Sequence, residues 1–368
     1  MNKILNKIAV ALVLISIFVC AQSKPLIEKN TNLDFTISDD LKEILYYASL
    51  APNGHNTQMW KVGISQDQKV LQIYIDSSRL LPVVDPDGRE SLISIGAFIE
   101  NMRQALIAYG YEFSISISES ANIHDNPLIA EVFIGSKKAQ ELNTHILNNI
   151  ERRNTDKNKY QKRLLDSNSV SNIIDYTLEN VYILKKNSIE FEFIKEMTLL
   201  ANKIQSDSAV AREELAIWLR FSDKEAIEKA DGLPAEQIGL KGIVKRLYYL
   251  TTNREKATKE SFGRASYRAA EKHLNNCVAF IIITGDNTVK GYIEAGMKME
   301  STWLKAVEEN ISIHPMSQAL EEQEVYKQIK IEFSNYENIQ MIMRAGYVKN
   351  YGENNKIRRP LHKFVNMN

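Results

Sequence analysis

The chain has 368 residues, with 46 basic and 46 acidic side chains, so its formal charge is zero. Hydrophobic residues make up 44% and charged residues 25%, which excludes collagen, coiled coil, disorder and a polytopic membrane protein. The neutral balance also argues against a nucleic-acid binder, which carries a basic excess.

At the N-terminus, Lys3 and Lys7 precede an uncharged run from Ile8 to Val19, and Cys20-Ala21-Gln22-Ser23 follows. These are the basic region, apolar region and small-residue exit of an export signal. The run is too short to span a bilayer comfortably, and a retained membrane anchor is the competing reading. Two exits compete: cleavage after Ser23, and lipidation at Cys20, where Ile17-Phe18-Val19-Cys20 forms a loose lipoprotein box. Residues 1–23 are therefore expected to be a signal peptide. The expected address is exported, either periplasmic or held by a lipid at Cys20, with no membrane span after processing. After the signal, Cys277 is the one remaining thiol. No internal disulfide can form, and Cys277 reads as an inert core residue beside an apolar run.

Residues 24–37 read as a linker. Leu41, Ile44, Leu45 and Ala48 have helical spacing, with Ser38 as N-cap and Pro52 as stop. Residues 60–64 and 70–75 alternate as strands. A helix is expected from about Glu90 to Tyr109, closed by Gly110, followed by strands at 113–117 and 129–134. From Lys137 the chain turns polar and helical. Helices are expected over 190–230 and 255–274, separated by Asp231-Gly232-Leu233-Pro234. Residues 278–284 read as a buried strand, 288–309 as a helix and 336–347 as a strand region.

One echo spans 200 residues: Gly96-x-x-x-Glu100 recurs as Gly296-x-x-x-Glu300. Each helix ends fourteen residues after its glycine, at Gly110 and Asn310, the two residue types that best tolerate a left-handed turn. This points to two copies of one strand–helix–strand unit.

No H-E-x-x-H, G-x-S-x-G, Walker A or G-x-G-x-x-G string occurs, and the six histidines lack metal-ligand spacing. No metal site is expected, and no catalytic acid or base is assigned. Two features remain. The turn-rich segment Ala51 to Trp60 carries Asn56 and Gln58, whose amides can read the edge of a planar heterocycle; the plainer reading is a solvated turn. The basic clusters at 151–163 and 344–363 could converge on a phosphate through Arg153, Lys157, Arg358 and Arg359; the plainer reading is two solvated faces.

Together these segments resemble the nitroreductase family of FMN-binding flavoproteins. Ala51 to Trp60 resembles its A-P-S-x-x-N-x-Q-P-W pattern. Arg152-Arg153-Asn154-Thr155-Asp156-Lys157 with Tyr160 resembles its R-R-x-[ST]-x-[RK]…[FY] pattern. Met343 to Tyr347 with Arg358-Arg359-Pro360-Leu361 resembles its R-x-G-[YF]…R-R-P-L ending. Here the asparagine motif precedes the arginine motif, as in the fused, pseudodimeric subgroup known from mycobacteria.

The resemblance implies an α+β, nitroreductase-like α/β/α sandwich with two related halves, at 38–150 and 151–368. An insertion at about 205–270 would form a lid. It implies bound FMN, with Asn56 and Gln58 near the ring. Arg153, Asn154, Thr155 and Lys157 would hold the phosphate and ring edge, and Arg358 or Arg359 would complete the phosphate site. Asn53, Met59 and Lys157 depart from the family's usual serine, proline and arginine. The implied activity is reduction of a small nitro, quinone or similar electron-poor substrate, with NAD(P)H as a candidate reductant. A non-catalytic flavin-binding or flavin-sequestering protein is the alternative.

Overall fold

The computed structural model describes residues 29–174, 180–351 and 356–368. The expected signal, with its exits at Cys20 and Ser23, lies outside the described residues.

Helix α1 (Asp39–Ser49) begins where Ser38 accepts a hydrogen bond from the Leu41 amide, closing the first turn. Strands β1 (Trp60–Ile64) and β2 (Val70–Ile75) form an antiparallel hairpin. Helix α2 (Arg89–Tyr109) stops at Gly110, whose φ of 81° suits glycine. Strands β3 (Tyr111–Ile117) and β4 (Leu128–Lys137) follow. The expected helical stretch after Lys137 reduces to α3 (Thr144–Arg152), and the basic segment beyond it is not helical. Helix α4 (Ser167–Ile173) and strand β5 (Val181–Lys185) come next.

The long helical region contains α5 (Ile189–Asp207), α6 (Ala209–Trp218), α7 (Asp223–Lys229), α8 (Gly242–Thr251), α9 (Arg254–Ala257) and α10 (Glu260–Asn275). The helix expected over 190–230 is divided because Ser208 and Ser222 cap new helices through their side chains. Then come β6 (Ala279–Thr284), α11 (Val289–Glu308), β7 (Ser312–Pro315), α12 (Gln318–Glu321), α13 (Gln323–Glu332), β8 (Ile339–Gly346) and β9 (Val365–Met367).

The fold is α+β with two sheets. The first runs β3-β4-β2-β1-β9 and the second β5-β6-β8-β7. Read from its other end, the second is β7-β8-β6-β5, the order of the first four strands with each number raised by four. Within both sets every pairing is antiparallel. In both, one long helix joins the second strand to the third: α2 from Arg89, α11 from Val289. The sets differ in their first connection. Ser65 to Lys69 joins β1 to β2, whereas the whole run α5–α10 separates β5 from β6. Strand β9 pairs in parallel with β1, so the chain's end returns to the first sheet.

Helices α2 and α11 cross at the two echoed glycines. A Cβ on Gly96 would lie 2.0 Å from the Ile293 carbonyl oxygen, and one on Gly296 2.0 Å from the Ile93 carbonyl oxygen. The contact is reciprocal, and only a residue without Cβ allows the backbones to approach so closely. Around this crossing one apolar core runs from α1 and the first sheet to one face of the second. Trp60 stacks on Phe98 at 4.9 Å between ring centroids. Strand β6 shows the period of two: Ala279, Ile281 and Ile283 enter this core. Phe280 and Ile282 enter a second core, with Phe191 of α5. Cys277 is buried there, as expected, and burial pushes its thiol up to about 12. The insertion has only a small core of its own, around Ala216, Leu219 and Ala257.

Candidate functional site

The amide loop leaves α1 and enters β1 through a compressed turn. His55, Asn56 and Gln58 have φ of 47°, 53° and 54°, a region that non-glycine residues other than Asn and Asp adopt at a cost. The turn is held by its own side chains and by distant segments. The Asn53 carboxamide oxygen accepts from the Gln58 amide at 2.9 Å. Asn56 Nδ2 donates to the carbonyls of Gly232 (2.9 Å) and Ile357 (3.2 Å). Gln58 Nε2 donates to Ala230 O at 2.9 Å, and its Oε1 accepts from the Arg359 amide at 2.8 Å. Asn56 and Gln58 are both buried. Among the described residues, the buried Nδ1 of His55 and hydroxyl of Thr57 have no hydrogen-bond partner; burial pushes His55 down to about 4.

The basic segments converge on the C-terminal end of α1, where helix carbonyls lack intrahelical partners. Arg153 Nη2 donates to Leu50 O at 2.9 Å, and Arg358 Nη2 donates to the same oxygen at 3.1 Å. Arg358 also donates to the carbonyls of Ser49, Ala51 and Ile357 and to Asn56 Oδ1. A guanidinium has five N–H groups, and these five acceptors take all of them. Where the resemblance put Arg358 on a phosphate, this conformation has it closing α1 and gripping the amide loop. Arg359 is likewise turned inward, donating to the Gln58 and Trp60 carbonyls. Burial lowers Arg358 to about 9 and Arg359 to about 10.

Beside Arg153 lies Glu300, with the Arg153 Nε to Glu300 Oε1 distance 3.0 Å and both side chains buried. The Arg153 guanidinium also sits 4.6 Å from the Trp303 ring centroid. Burial pushes the Glu300 carboxyl up to about 7, against the opposing pull of Arg153 and Lys356. Lys356, buried, donates to the carbonyls of Ile150 (2.7 Å) and Glu151 (3.1 Å). Its pKa falls well below the usual lysine value, through burial and the neighbouring Arg153 and Arg358. Arg153, Lys356 and Arg358 thus crowd around one carboxylate.

The remaining motif residues lie elsewhere. Asn154 donates to the Arg152 carbonyl at 3.1 Å. Thr155 is exposed and bridges to Ile313 beside β7. Lys157 lies half-buried near Arg344, and burial with that neighbouring charge lowers it to about 8. Among the described residues the Lys157 ammonium has no acidic partner. Arg344 Nε donates to His314 Nδ1 at 3.0 Å, which leaves the ring proton of a neutral His314 on Nε2. Arg344 lies 4.0 Å from the Tyr160 ring centroid, and burial, with the Arg344 charge, pushes His314 well below its usual value.

Sequence reasoning missed Lys356 and Glu300 as members of this site. The Lys356-x-Arg358 spacing held the signal for the first, since alternate residues of an extended segment share a face. Nothing in composition marked Glu300 beyond the echo.

No family model matches the chain. A Mycobacterium tuberculosis protein named "Putative NAD(P)H nitroreductase acg" is 36% identical over 73 residues, 20% of this chain and 22% of that protein. A second protein of that organism, also named as a putative NAD(P)H nitroreductase, is 25% identical over 129 residues, 35% of this chain and 36% of its own length. A third, uncharacterised, is 28% identical over 78 residues, 21% of this chain and 23% of its own. The chain thus spans between about a fifth and a third of the curated relatives it matches. These partial likenesses support a nitroreductase-like family and a general oxidoreductase class.

Proposed function

We propose that the chain is an FMN-dependent oxidoreductase of the nitroreductase type, reducing nitro, quinone or similar electron-poor compounds with NAD(P)H as the reductant. The carrying observation is the meeting of three motif segments far apart in sequence. The amide loop, Arg153 and the 356–359 tail share hydrogen bonds at the end of α1. Buried Arg153 and Lys356 and the half-buried Arg358 lie around Glu300 there, and such a cationic cluster suits a phosphate. The donor set therefore fits the group. Arg153, Lys356 and Lys157 would hold the anionic parts, and Asn56 and Gln58 the ring edge. Bound flavin supplies hydride transfer at N5, and the protein supplies binding and electrostatics.

The matching strand orders, the reciprocal glycine crossing and the 200-residue offset support a fused, pseudodimeric architecture with one composite site. Export through residues 1–23 belongs to the same reading, and mass spectrometry of the mature N-terminus tests it. Incubation with FMN should give a yellow protein; a chain that stays colourless overturns the proposal. Arg153→Ala should weaken FMN binding by about 1.5–3 kcal/mol, the range for charged hydrogen bonds.

A second reading has its own observation. The insertion's turn lies directly on the amide loop, with Ala230 and Gly232 occupying the Gln58 and Asn56 carboxamides. A lid so placed favours a protein that holds flavin without turnover, and an exported chain meets little NAD(P)H. Steady NAD(P)H consumption with a nitroaromatic or quinone acceptor rejects this alternative.

A further inference from the structure

Helix α8 turns an apolar face to solvent. Ile243, Val244, Leu247 and Leu250 are 60%, 56%, 53% and 83% exposed. At about 100° per residue they fall within roughly a third of the helix circumference. The opposite face packs inward. Tyr248 stacks near Phe221 at 6.1 Å, and Lys245 pairs with Asp223 at 2.8 Å and with Glu236. The helix is therefore seated correctly, and its outer stripe is surplus to the fold. A contiguous patch of large aliphatic side chains marks an interaction site.

Charge identifies the partner. From Lys241 to Lys259 the sequence carries six basic residues and one acid, Glu255; of the six, Lys245 turns inward onto Asp223 and Glu236, and Lys259 pairs with Glu255 at 3.2 Å. Lys241, Arg254 and Lys256 are exposed. In a chain of zero formal charge, this is a concentrated positive strip beside an apolar stripe, the pattern of a helix lying in the headgroup region of a bilayer. A second copy would bring two positive strips together and repel. With ten residues, α8 is only about 15 Å long. No helix among the described residues is long and apolar enough to cross a membrane, so the contact is in the plane of the surface. We propose that α8 and its basic flanks dock this protein on an anionic phospholipid bilayer. The inference stands apart from the flavin reading.

The test uses the full chain with vesicles of phosphatidylcholine, alone or mixed with phosphatidylglycerol. Leu250→Trp places an indole on the stripe. Its emission should shift to the blue, and brominated lipid should quench it, on the anionic vesicles and at least about tenfold less on the neutral ones. Leu247→Glu combined with Leu250→Glu changes exposed positions only and keeps the same N-terminus, so any tether contributes equally. It should lower vesicle co-sedimentation at least about tenfold with unchanged circular dichroism. Equal co-sedimentation of wild type and the double variant, or an introduced indole that stays in water, overturns the proposal. Burial of the indole in a concentration-dependent dimer without lipid overturns it in favour of a second copy.

Discussion

Glu100 and Glu300 occupy the same place on α2 and α11, four residues beyond the crossing glycines, and both are buried. Their partners differ. Glu100 is answered from its own helix, by Arg103 through Nε and Nη2, both at 2.7 Å, and by Gln104 at 2.8 Å. In α11 those two positions hold Trp303 and Leu304. Glu300 faces Arg153, which reaches it from outside the helix. The α2 glutamate is answered within its own helix, while the α11 glutamate is wired to the motif segments. The connections differ in the same way: a five-residue turn joins β1 to β2, and six helices separate β5 from β6.

The crossing offers the most severe way to break this equivalence. Gly96→Leu and Gly296→Leu would each drive a side chain into a backbone carbonyl, with nothing flexible to yield. Each should cost more than about 5 kcal/mol, read as loss of the cooperative urea transition. Similar losses at both positions sharpen the symmetry. A tolerant Gly96 beside an intolerant Gly296 would break it.

The two glutamates should respond differently to pH. Glu300 has its carboxyl pKa raised from 4.5 to about 7, so the folded chain keeps a proton that the unfolded chain releases. Its stabilising contribution is complete below about pH 4.5 and is lost as pH rises through about 7. Glu300→Gln keeps a neutral side chain at every pH, so it should flatten the decline in stability that the native chain shows between pH 5 and pH 8. Glu100→Gln forfeits a bidentate contact and should lower stability by about 1–2 kcal/mol. Urea midpoints at pH 5 and pH 8 measure both.

The insertion supplies a third comparison, between a region with a large core and one with a small core. Its seat on the amide loop depends on polar ties. Asp231 accepts from both Arg79 and Arg220, and Glu214 accepts from the Val83 amide at 2.8 Å and the Val84 amide at 3.1 Å. Asp231→Ala leaves the buried Arg220 without its acid and should favour opening of residues 209–257 by about 2 kcal/mol. Limited proteolysis should then cut the insertion while the sheets stay protected. Unchanged cleavage would place the attachment in packing instead.

Much of this organisation was legible in the chain. The hairpin 60–75, the long helix ending at Gly110 and the buried strand near 279–284 followed from period and turn chemistry. The left-handed turns at Gly110 and Asn310, with φ of 81° and 53°, stand where the echo required them. Strands β5 and β9 escaped notice. Each is short, at five and three residues, and owes its strand form to a partner far away in sequence. Convergence of the basic segments was expected, but their acceptors were not. Carbonyls at the end of a helix carry no sequence signal, so the role of Arg358 at Ser49, Leu50 and Ala51 became visible only in three dimensions.

Arg153 and Lys157 open the finest comparison, between two cations of one motif. Burial lowers Arg153 too, but from arginine's much higher ordinary value, whereas Lys157 is lowered to about 8 by burial and by Arg344. If Lys157 contacts an anionic part of bound FMN, affinity should hold below pH 8 and fall above it, by up to about tenfold per pH unit, as the ammonium loses its proton. Lys157→Arg should abolish that decline while keeping the charge, although its fork demands more room near Gly239, where an added Cβ would come within 3.3 Å of the Lys157 Cβ. Fluorescence titration of FMN between pH 7 and 9 separates the outcomes. A decline that persists in Lys157→Arg assigns the titration to another group and removes Lys157 from the binding set, leaving the buried Arg153 cluster to hold the anion alone.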